Sequence, residues 1–179
     1  MTMKLNILTF VLLIFLLSCK QKNSENLNQA KKAIVNTVDT SIIAVIPFDT
    51  NQYYIFRESE PTELTSSDLR KIETLINRLL NEYNTEQEKQ YKEFKKEHPK
   101  LNVNKNDYII NLKRYKRQYV ASINSKGEKV VWVNCFCDAW DFNWKKNLIF
   151  VNDGGNCFFN LKINLTTEAY FDFSVNGEA

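Results

Sequence analysis

The sequence predicts an α+β protein in which one main amphipathic helix packs on a curled antiparallel β-meander of about four strands. Two patterns support this fold class. Apolar residues recur with a helical period of 3.6 between residues 65 and 84, and they alternate with a period of two after residue 117. A chain of 179 residues that is 44% apolar, with only four glycines and three prolines, has the composition of one folded domain.

The first 18 residues have the features of a secretory signal peptide. Lys4 supplies the positive flank, residues 5–17 form a mainly apolar run, and the small Ser18 follows it. A membrane-spanning helix needs about 20 apolar residues, so this run is too short to cross a bilayer. We therefore expect residues 1–18 to direct export and to be removed from the mature chain.

The stretch Leu16-Leu17-Ser18-Cys19 resembles the lipobox of bacterial lipoproteins, in which a leucine, a variable residue and a small residue precede an invariant cysteine. The resemblance implies that Cys19 begins the mature chain, with acyl chains on its sulfur and its amino group. Since each buried CH₂ contributes about 0.8 kcal/mol, such an anchor is effectively permanent. Lys20 at the next position favours the outer membrane in the best-known sorting scheme. The alternative is an ordinary signal peptide or short anchor with an incidental cysteine.

Residues 19–33 are polar and mixed in charge, which predicts a lipidated tether ahead of a single globular domain at residues 34–179. A flexible tether of this length holds the domain about 20 Å from the lipid surface. The excess of 24 basic over 21 acidic residues is too small to predict nucleic-acid binding. Residues 116–137 are also similar to the body of small lipoproteins of unassigned function, a resemblance that implies no activity.

Two short strands are predicted ahead of the helix. Residues 41–49 form a β-branched run that Pro47 closes, because proline lacks the N–H that a strand interior needs. Residues 53–56 can form a second strand before Pro61 interrupts it.

The helix is predicted from a single apolar stripe with helical spacing, which must lie on another apolar surface. Its members are Leu69, Ile72, Leu75, Ile76, Leu79, Leu80 and Tyr83. Thr65 and Ser66 offer an N-cap oxygen, and Asp68 puts a negative charge in the first turn. Residues 85–100 are charged nearly all round, which predicts an exposed helical turn or two ending before Pro99.

The second half of the chain predicts the four strands of the meander, at residues 117–123, 128–137, 157–165 and 169–175. In the third strand Phe159, Leu161 and Ile163 alternate with polar residues, so one sheet face is expected to be dry and the other wet. The helix would then lie across the dry face. This layout resembles cystatin-like and related helix-on-sheet folds, which serve many functions.

Three cysteines remain after Cys19. Cys135 and Cys137 lie on one face of a strand, and antiparallel pairing of the second and third strands of the meander brings Cys137 opposite Cys157. Exported proteins enter an oxidising compartment, so we expect a Cys137–Cys157 disulfide with Cys135 buried and free. Pairing of Cys135 with Cys157 needs only a small change of register and stays open.

These thiols have two alternative roles. With His98 they could form a Cys₃His zinc site, but zinc motifs usually separate paired cysteines by two to four residues. A nucleophilic cysteine needs a nearby base, and His98, the one histidine, sits beside Pro99 in a charged stretch. The sequence therefore predicts no metal and no cofactor.

A cluster of aromatic and acidic residues follows the second strand of the meander. In an extended conformation Asp138, Trp140, Phe142 and Trp144 share a face and would form a platform for a sugar ring or a peptide. The alternative is burial, because large aromatic side chains dominate protein cores. Asp138 and Asp141 could instead serve as an acid and a base, but in a strand they would face opposite sides.

Three further motifs have simpler explanations. Residues 152–156 predict a tight turn, since the alternating acidic ligands of a calcium loop are absent. Residues 113–119 alternate basic residues with tyrosines, which predicts a solvated edge strand, with lipid headgroups or surface polysaccharide as other possible partners. The four glycines form neither a phosphate-binding loop nor a dinucleotide fingerprint.

The sequence thus predicts a lipid-anchored, extracytoplasmic protein that acts, if at all, by binding a glycan, a peptide or an envelope protein. The alternative is a hydrolytic or thiol enzyme that uses Asp138, Asp141 or the three cysteines Cys135, Cys137 and Cys157.

Overall fold

The computed structural model describes residues 39, 41–49, 55–56, 58–138 and 143–177. The predicted signal peptide, Cys19, the tether and half of the predicted strand at 53–56 lie outside these residues. The described part is an α+β fold whose strands are β1 (Ile43–Val45), β2 (Glu60–Pro61), β3 (Lys116–Ile123), β4 (Lys129–Phe136), β5 (Phe158–Asn164) and β6 (Ala169–Val175). The helix is α1 (Ser66–Glu97), and short 3₁₀ turns occur at Lys105–Asp107, Leu112–Arg114 and Gly155–Cys157.

Helix α1 begins with a capping box. The Thr65 hydroxyl accepts the Asp68 N–H at 3.1 Å, and the Asp68 carboxylate accepts the Thr65 N–H at 2.9 Å. This reciprocal pair satisfies two N–H groups that a helix start leaves without partners. The predicted stripe is buried from Leu69 to Leu80.

The helix is longer than the sequence predicted. It runs unbroken through the charged segment and ends at Glu97, one residue short of the His98 cap and just before Pro99. Residues 101–115 cover part of its second half, where Tyr91 packs on Tyr108 at 5.4 Å and Lys105 pairs with Glu88 at 2.7 Å. These contacts from a distant segment stabilise turns that have no apolar stripe of their own.

The predicted antiparallel meander is confirmed in the order β3-β4-β5-β6. Val133 in the middle of β4 lies between Tyr119 and Leu161, which fixes the register of three strands. Strand β1 pairs parallel with residues 117–119 of β3, and the two residues of β2 pair antiparallel with Ile123 and Ser122. The sheet is therefore mixed, and β3 is an interior strand.

This placement contradicts the predicted edge strand at residues 113–119. Lys113 and Arg114 belong to a 3₁₀ turn, while Arg117 is only 4% exposed and lies 3.2 Å from the Glu73 carboxylate on α1. Tyr119 is fully buried and donates its hydroxyl proton to the same carboxylate. The basic residue is tolerated inside because a carboxylate pairs with it there.

Helix α1 covers one face of the sheet. Tyr83 contacts Phe173 of β6 at 5.3 Å, and Glu73 reaches Arg117 and Tyr119 of β3. Tyr119, Val133 and Leu161 are fully buried on this face, as the sequence predicted for a dry face.

The opposite face is not simply wet, and here the prediction is wrong for β3 and β4. The side chains that point away from the helix form a second apolar cluster with segments from before and after the sheet: Ala44, Ile46, Ile55, Phe56, Val120, Val130, Trp132, Phe136, Trp144, Ile149 and Phe158. In the described part of the chain, this face opens to solvent toward β6, where Asn160 and Lys162 are half-buried. Both faces of β3 and β4 are therefore covered.

Candidate functional site

The predicted disulfide is present. Cys137 and Cys157 are bonded, with their Cα atoms 5.0 Å apart and 20 positions apart in sequence. The strand register explains this disulfide. Because Phe136 lies opposite Phe158 in an antiparallel pair, the residue after Phe136 lies opposite the residue before Phe158, and these two residues are the cysteines. The Cys137 N–H also donates to the Cys157 carbonyl at 2.9 Å.

Cys135 is free and fully buried. Burial raises the pKa of its thiol far above the usual value, and the nearby Arg117 offsets this only in part. A reactive cysteine needs the opposite setting, exposed and with a lowered pKa. The zinc alternative loses two of its thiolates to the disulfide, and His98 lies at the C-cap of α1 against Phe94.

The predicted aromatic platform is only partly within the described residues. Trp140, Phe142 and Asp141 lie outside them, and Asp138 is exposed. Trp144 is 8% exposed and packs edge-on against Phe136, with ring centroids 5.9 Å apart. For Trp144 the structure therefore favours burial in the core over a place in a ligand platform.

Two buried amides hold the segment that carries Trp144. The Gln118 side chain donates to the carbonyls of Trp144 and Asn147 and accepts the Ile149 N–H at 3.0 Å. Asn134 lies directly opposite Gln118 and donates to the Ile149 carbonyl at 2.7 Å. These bonds fix the path of residues 144–149, since breaking them would leave buried polar groups without partners.

This amide pair was not predicted from the sequence. The available signal was the position of two amides at facing sites of neighbouring strands, with Asn134 inside an apolar run. Such a pair in a sheet interior is expected only where the backbone of another segment supplies hydrogen-bond partners.

The open end of the second face contains a groove with a volume of about 420 Å³. Its lining residues are Ile55, Trp132, Phe150, Val151, Asn152, Asn160, Lys162, Asp172 and Asn176. Trp132 and Phe150 stack with ring centroids 5.7 Å apart and planes 23° apart. Trp132 is buried, while Phe150 is 54% exposed, so an aromatic ring is available at the groove.

The other side of the groove is polar. Lys162 and Asp172 form an ion pair at 3.0 Å, and the ammonium of Lys162 lies 6.0 Å from the Phe171 ring centroid. Asp172 has a φ of 51°, beside a register shift between β5 and β6. A non-glycine residue in this left-handed conformation carries backbone strain, which is common at binding sites.

Neighbouring contacts fix the groove wall. Asn176 donates to the carbonyls of Val151 at 2.6 Å and Asp153 at 3.0 Å. The turn below it contains Gly154, whose φ of 86° favours glycine and where a Cβ would lie 2.7 Å from the Phe158 ring. The predicted tight turn at residues 152–156 is thus confirmed.

The groove residues were not singled out from the sequence. The alternation in β5 did place Asn160 and Lys162 on the wet face, and the strand register puts Trp132 beside Lys162. The sequence could not show that Phe150 folds back onto Trp132, because this contact depends on the path of a loop.

Among the described residues, no helix has both the length and the apolar content needed to cross a membrane. The same residues contain no cluster of three or more side chains suited to bind a metal ion. The cystatin-like layout and the lipobox resemblance stay predictions. Comparison of the chain with protein-family models, with curated proteins and with solved structures finds no match.

Proposed function

We propose that this protein is a lipid-anchored binding module of the outer membrane, on the extracytoplasmic side of the cell envelope, and that its ligand occupies the groove over β4, β5 and β6. The observation that supports it most is the groove itself, in which an exposed aromatic ring faces polar side chains. Such a combination is typical of ligand-binding sites, whereas side chains that pack in a core are buried.

The groove is organised before a ligand arrives. Phe150 lies between Ile149, whose N–H and carbonyl are bonded to Gln118 and Asn134, and Val151, whose carbonyl is bonded to Asn176. Its ring also rests on Trp132. A site whose backbone is already fixed loses less conformational entropy on binding, which favours affinity.

The groove is better suited to binding a ligand than to cleaving a bond in it. Asp172 is the carboxylate among its described lining residues, and it is already paired with Lys162. The thiol-enzyme alternative is weakened because Cys137 and Cys157 are bonded and Cys135 is buried. These observations favour binding over the hydrolytic and thiol-enzyme alternatives.

The proposed location rests on the N-terminal sequence. A diacylated Cys19 followed by a polar tether would keep the domain near the lipid surface. The partners within reach there are envelope glycans, peptides and envelope proteins.

Intact mass measurement of the full chain extracted from its own membranes tests the anchor. We expect a mass that begins at Cys19 and includes acyl chains. A Cys19→Ser variant should lose the acyl mass and leave the membrane fraction. An unacylated, soluble wild-type chain would contradict the proposed anchor.

Sedimentation with isolated envelope material tests the binding role. The envelope material is first stripped of membrane lipid and the anchor is kept in detergent micelles, so that the anchor itself does not bind it. The full chain should then sediment with this material, and Phe150→Ala should weaken that association by about tenfold, the loss of about 1.4 kcal/mol. Leu101→Ala removes an apolar side chain of similar exposure away from the groove and serves as the matched control. Equal association of all three chains would contradict a role for the groove.

A further inference from the structure

The geometry points to an uncharged oligosaccharide as the ligand of the groove, an inference that rests on the proposed binding function of the same groove. Its lining combines one partly exposed aromatic ring, unused amide groups and a neutralised ion pair. Each of these features matches a different part of a sugar ring.

The aromatic wall suits the apolar face of a pyranose ring. The face of an aromatic ring is electron-rich, so it attracts the polarised C–H bonds that cover one side of many sugars. Phe150 presents a ring that is 54% exposed and stacked on Trp132 at an interplanar angle of 23°. The stack holds the ring in place, and its exposed part can contact a flat partner.

The polar wall suits hydroxyl groups. A sugar hydroxyl both donates and accepts hydrogen bonds, and the amides of Asn152 and Asn160 also do both. Throughout the described residues, no hydrogen bond occupies either of these two side-chain amides, although both line the groove. They can therefore bond a ligand without breaking a bond within the protein.

The charge of the groove favours a neutral ligand. Lys162 and Asp172 lie 3.0 Å apart, so the two charges largely cancel while still offering donors and an acceptor. An anionic ligand would have to compete with Asp172 for the lysine. This pairing distinguishes the site from one that selects phosphate or an acidic polymer.

The shape and lining favour a saccharide over a peptide. An extended peptide is usually held by backbone groups at an open strand edge. The polar groups here are instead side chains projecting from a sheet face, on β5, β6 and the adjoining loop. The volume of about 420 Å³ lies within the range of about 300–1,000 Å³ usual for small ligands, so a few sugar units would occupy it.

Titration of the full lipidated chain with tetrasaccharides of glucose, N-acetylglucosamine, galactose and mannose tests the inference. The detergent must carry no sugar headgroup, because such a headgroup would compete for the site. Intrinsic tryptophan fluorescence is a suitable signal because Trp132 underlies the groove. We expect at least one tetrasaccharide to bind with a Kd of about 1 mM or tighter.

Substitutions at Phe150 separate ring stacking from general apolar contact. Phe150→Tyr should keep saccharide affinity, whereas Phe150→Leu should lower it by about tenfold, since leucine has no flat ring face. Asn160→Ala should also lower it, and Leu101→Ala should not. Circular dichroism and the thermal midpoint of each variant show whether it is folded.

A parallel titration with a mixture of short peptides completes the design. If peptides bind in a Phe150-dependent way and no saccharide does, the saccharide inference fails and the proposed binding function stands. If neither class of probe binds in a Phe150-dependent way, both fail. Equal saccharide affinity in Phe150→Leu and wild type would overturn the stacking arrangement.

Discussion

Gln118 and Asn134 place two polar side chains inside an otherwise apolar layer. Gln118 is fully buried and Asn134 is 8% exposed, yet their amides are satisfied by the backbone of residues 144–149. Buried polar groups that are fully bonded specify one arrangement, because every alternative leaves donors or acceptors without partners. These two residues therefore determine where the loop beside the groove lies.

Replacing Gln118 with leucine should destabilise the fold by about 3 kcal/mol, because the Ile149 N–H and the carbonyls of Trp144 and Asn147 lose their partner in the interior. Urea unfolding of the purified chain measures the change. Asn143→Ala, an exposed site in the same loop, is the control. A loss below about 1 kcal/mol would show that water or another group replaces the amide.

The ion pair between the buried Arg117 and the half-buried Glu73 should show coupling. Glu73→Gln alone should cost about 3 kcal/mol in the free energy of unfolding, because the charge of Arg117 stays buried without its partner. Arg117→Met should cost less, because the Glu73 side chain is 31% exposed and water can solvate its carboxylate. The double variant should be less destabilised than the sum of the two. A double-mutant cycle from urea unfolding measures the coupling, and strict additivity would contradict it.

At the scale of elements, helix α1 was predictable where its own sequence carries the reason for it. The stripe from Leu69 to Leu80 and the Thr65 cap are local signals, and both are present in the structure. The continuation to Glu97 was not predictable, because its contacts with Tyr108 and Lys105 come from a later segment. The second face of β3 and β4 is covered by segments that are distant in sequence, so this burial was not predictable either.

The capping box gives α1 a measurable dependence on one side chain. Thr65→Ala should destabilise the protein by about 1 kcal/mol, because the Asp68 N–H loses its acceptor. Thermal unfolding measures the change. Thr74→Ala, in mid-helix where the hydroxyl bonds to the Arg70 carbonyl, should have a smaller effect. Equal effects at both sites would contradict a capping role.

Asp68 should make the helix start sensitive to acid. Burial by itself raises the pKa of this carboxyl, but hydrogen bonds from Thr65 and Lys129 more than offset it, so the net pKa lies below its usual value of 3.8. The stabilisation is therefore present above that value and is lost as pH falls through the lowered folded pKa. Asp68→Asn should be less stable than wild type at neutral pH, and the difference should shrink in acid. A difference independent of pH would contradict this.

At the scale of the whole molecule, the sheet has a separate apolar layer on each face, and the groove lies where the second layer ends. Its parts come from β4, β5, β6 and the loop around Phe150. The alternation within each strand was readable from the sequence, but the loop path was not. The disulfide was predictable because the strand register alone brings Cys137 to Cys157.

Removing the disulfide should lower the stability of the whole domain. For a closed loop of about 20 residues the loop-entropy model gives about 3 kcal/mol. The Cys137→Ser, Cys157→Ser double variant should therefore unfold at a lower temperature than wild type, and reductant should affect only the wild type. Cys135→Ala, which leaves the disulfide intact, shows how much of any change comes from the buried thiol. An unchanged midpoint in the double variant would contradict the prediction.

The same disulfide determines whether the fragments produced by a protease stay covalently joined. Residues 138–156 form a ring closed by the Cys137–Cys157 bond, so a single cut anywhere in that ring leaves both fragments in one covalent molecule. A chain nicked there would migrate as one species on a denaturing gel and divide into two only after reduction. The segment beside the groove can thus be cleaved without the loss of β5 and β6 from the rest of the sheet.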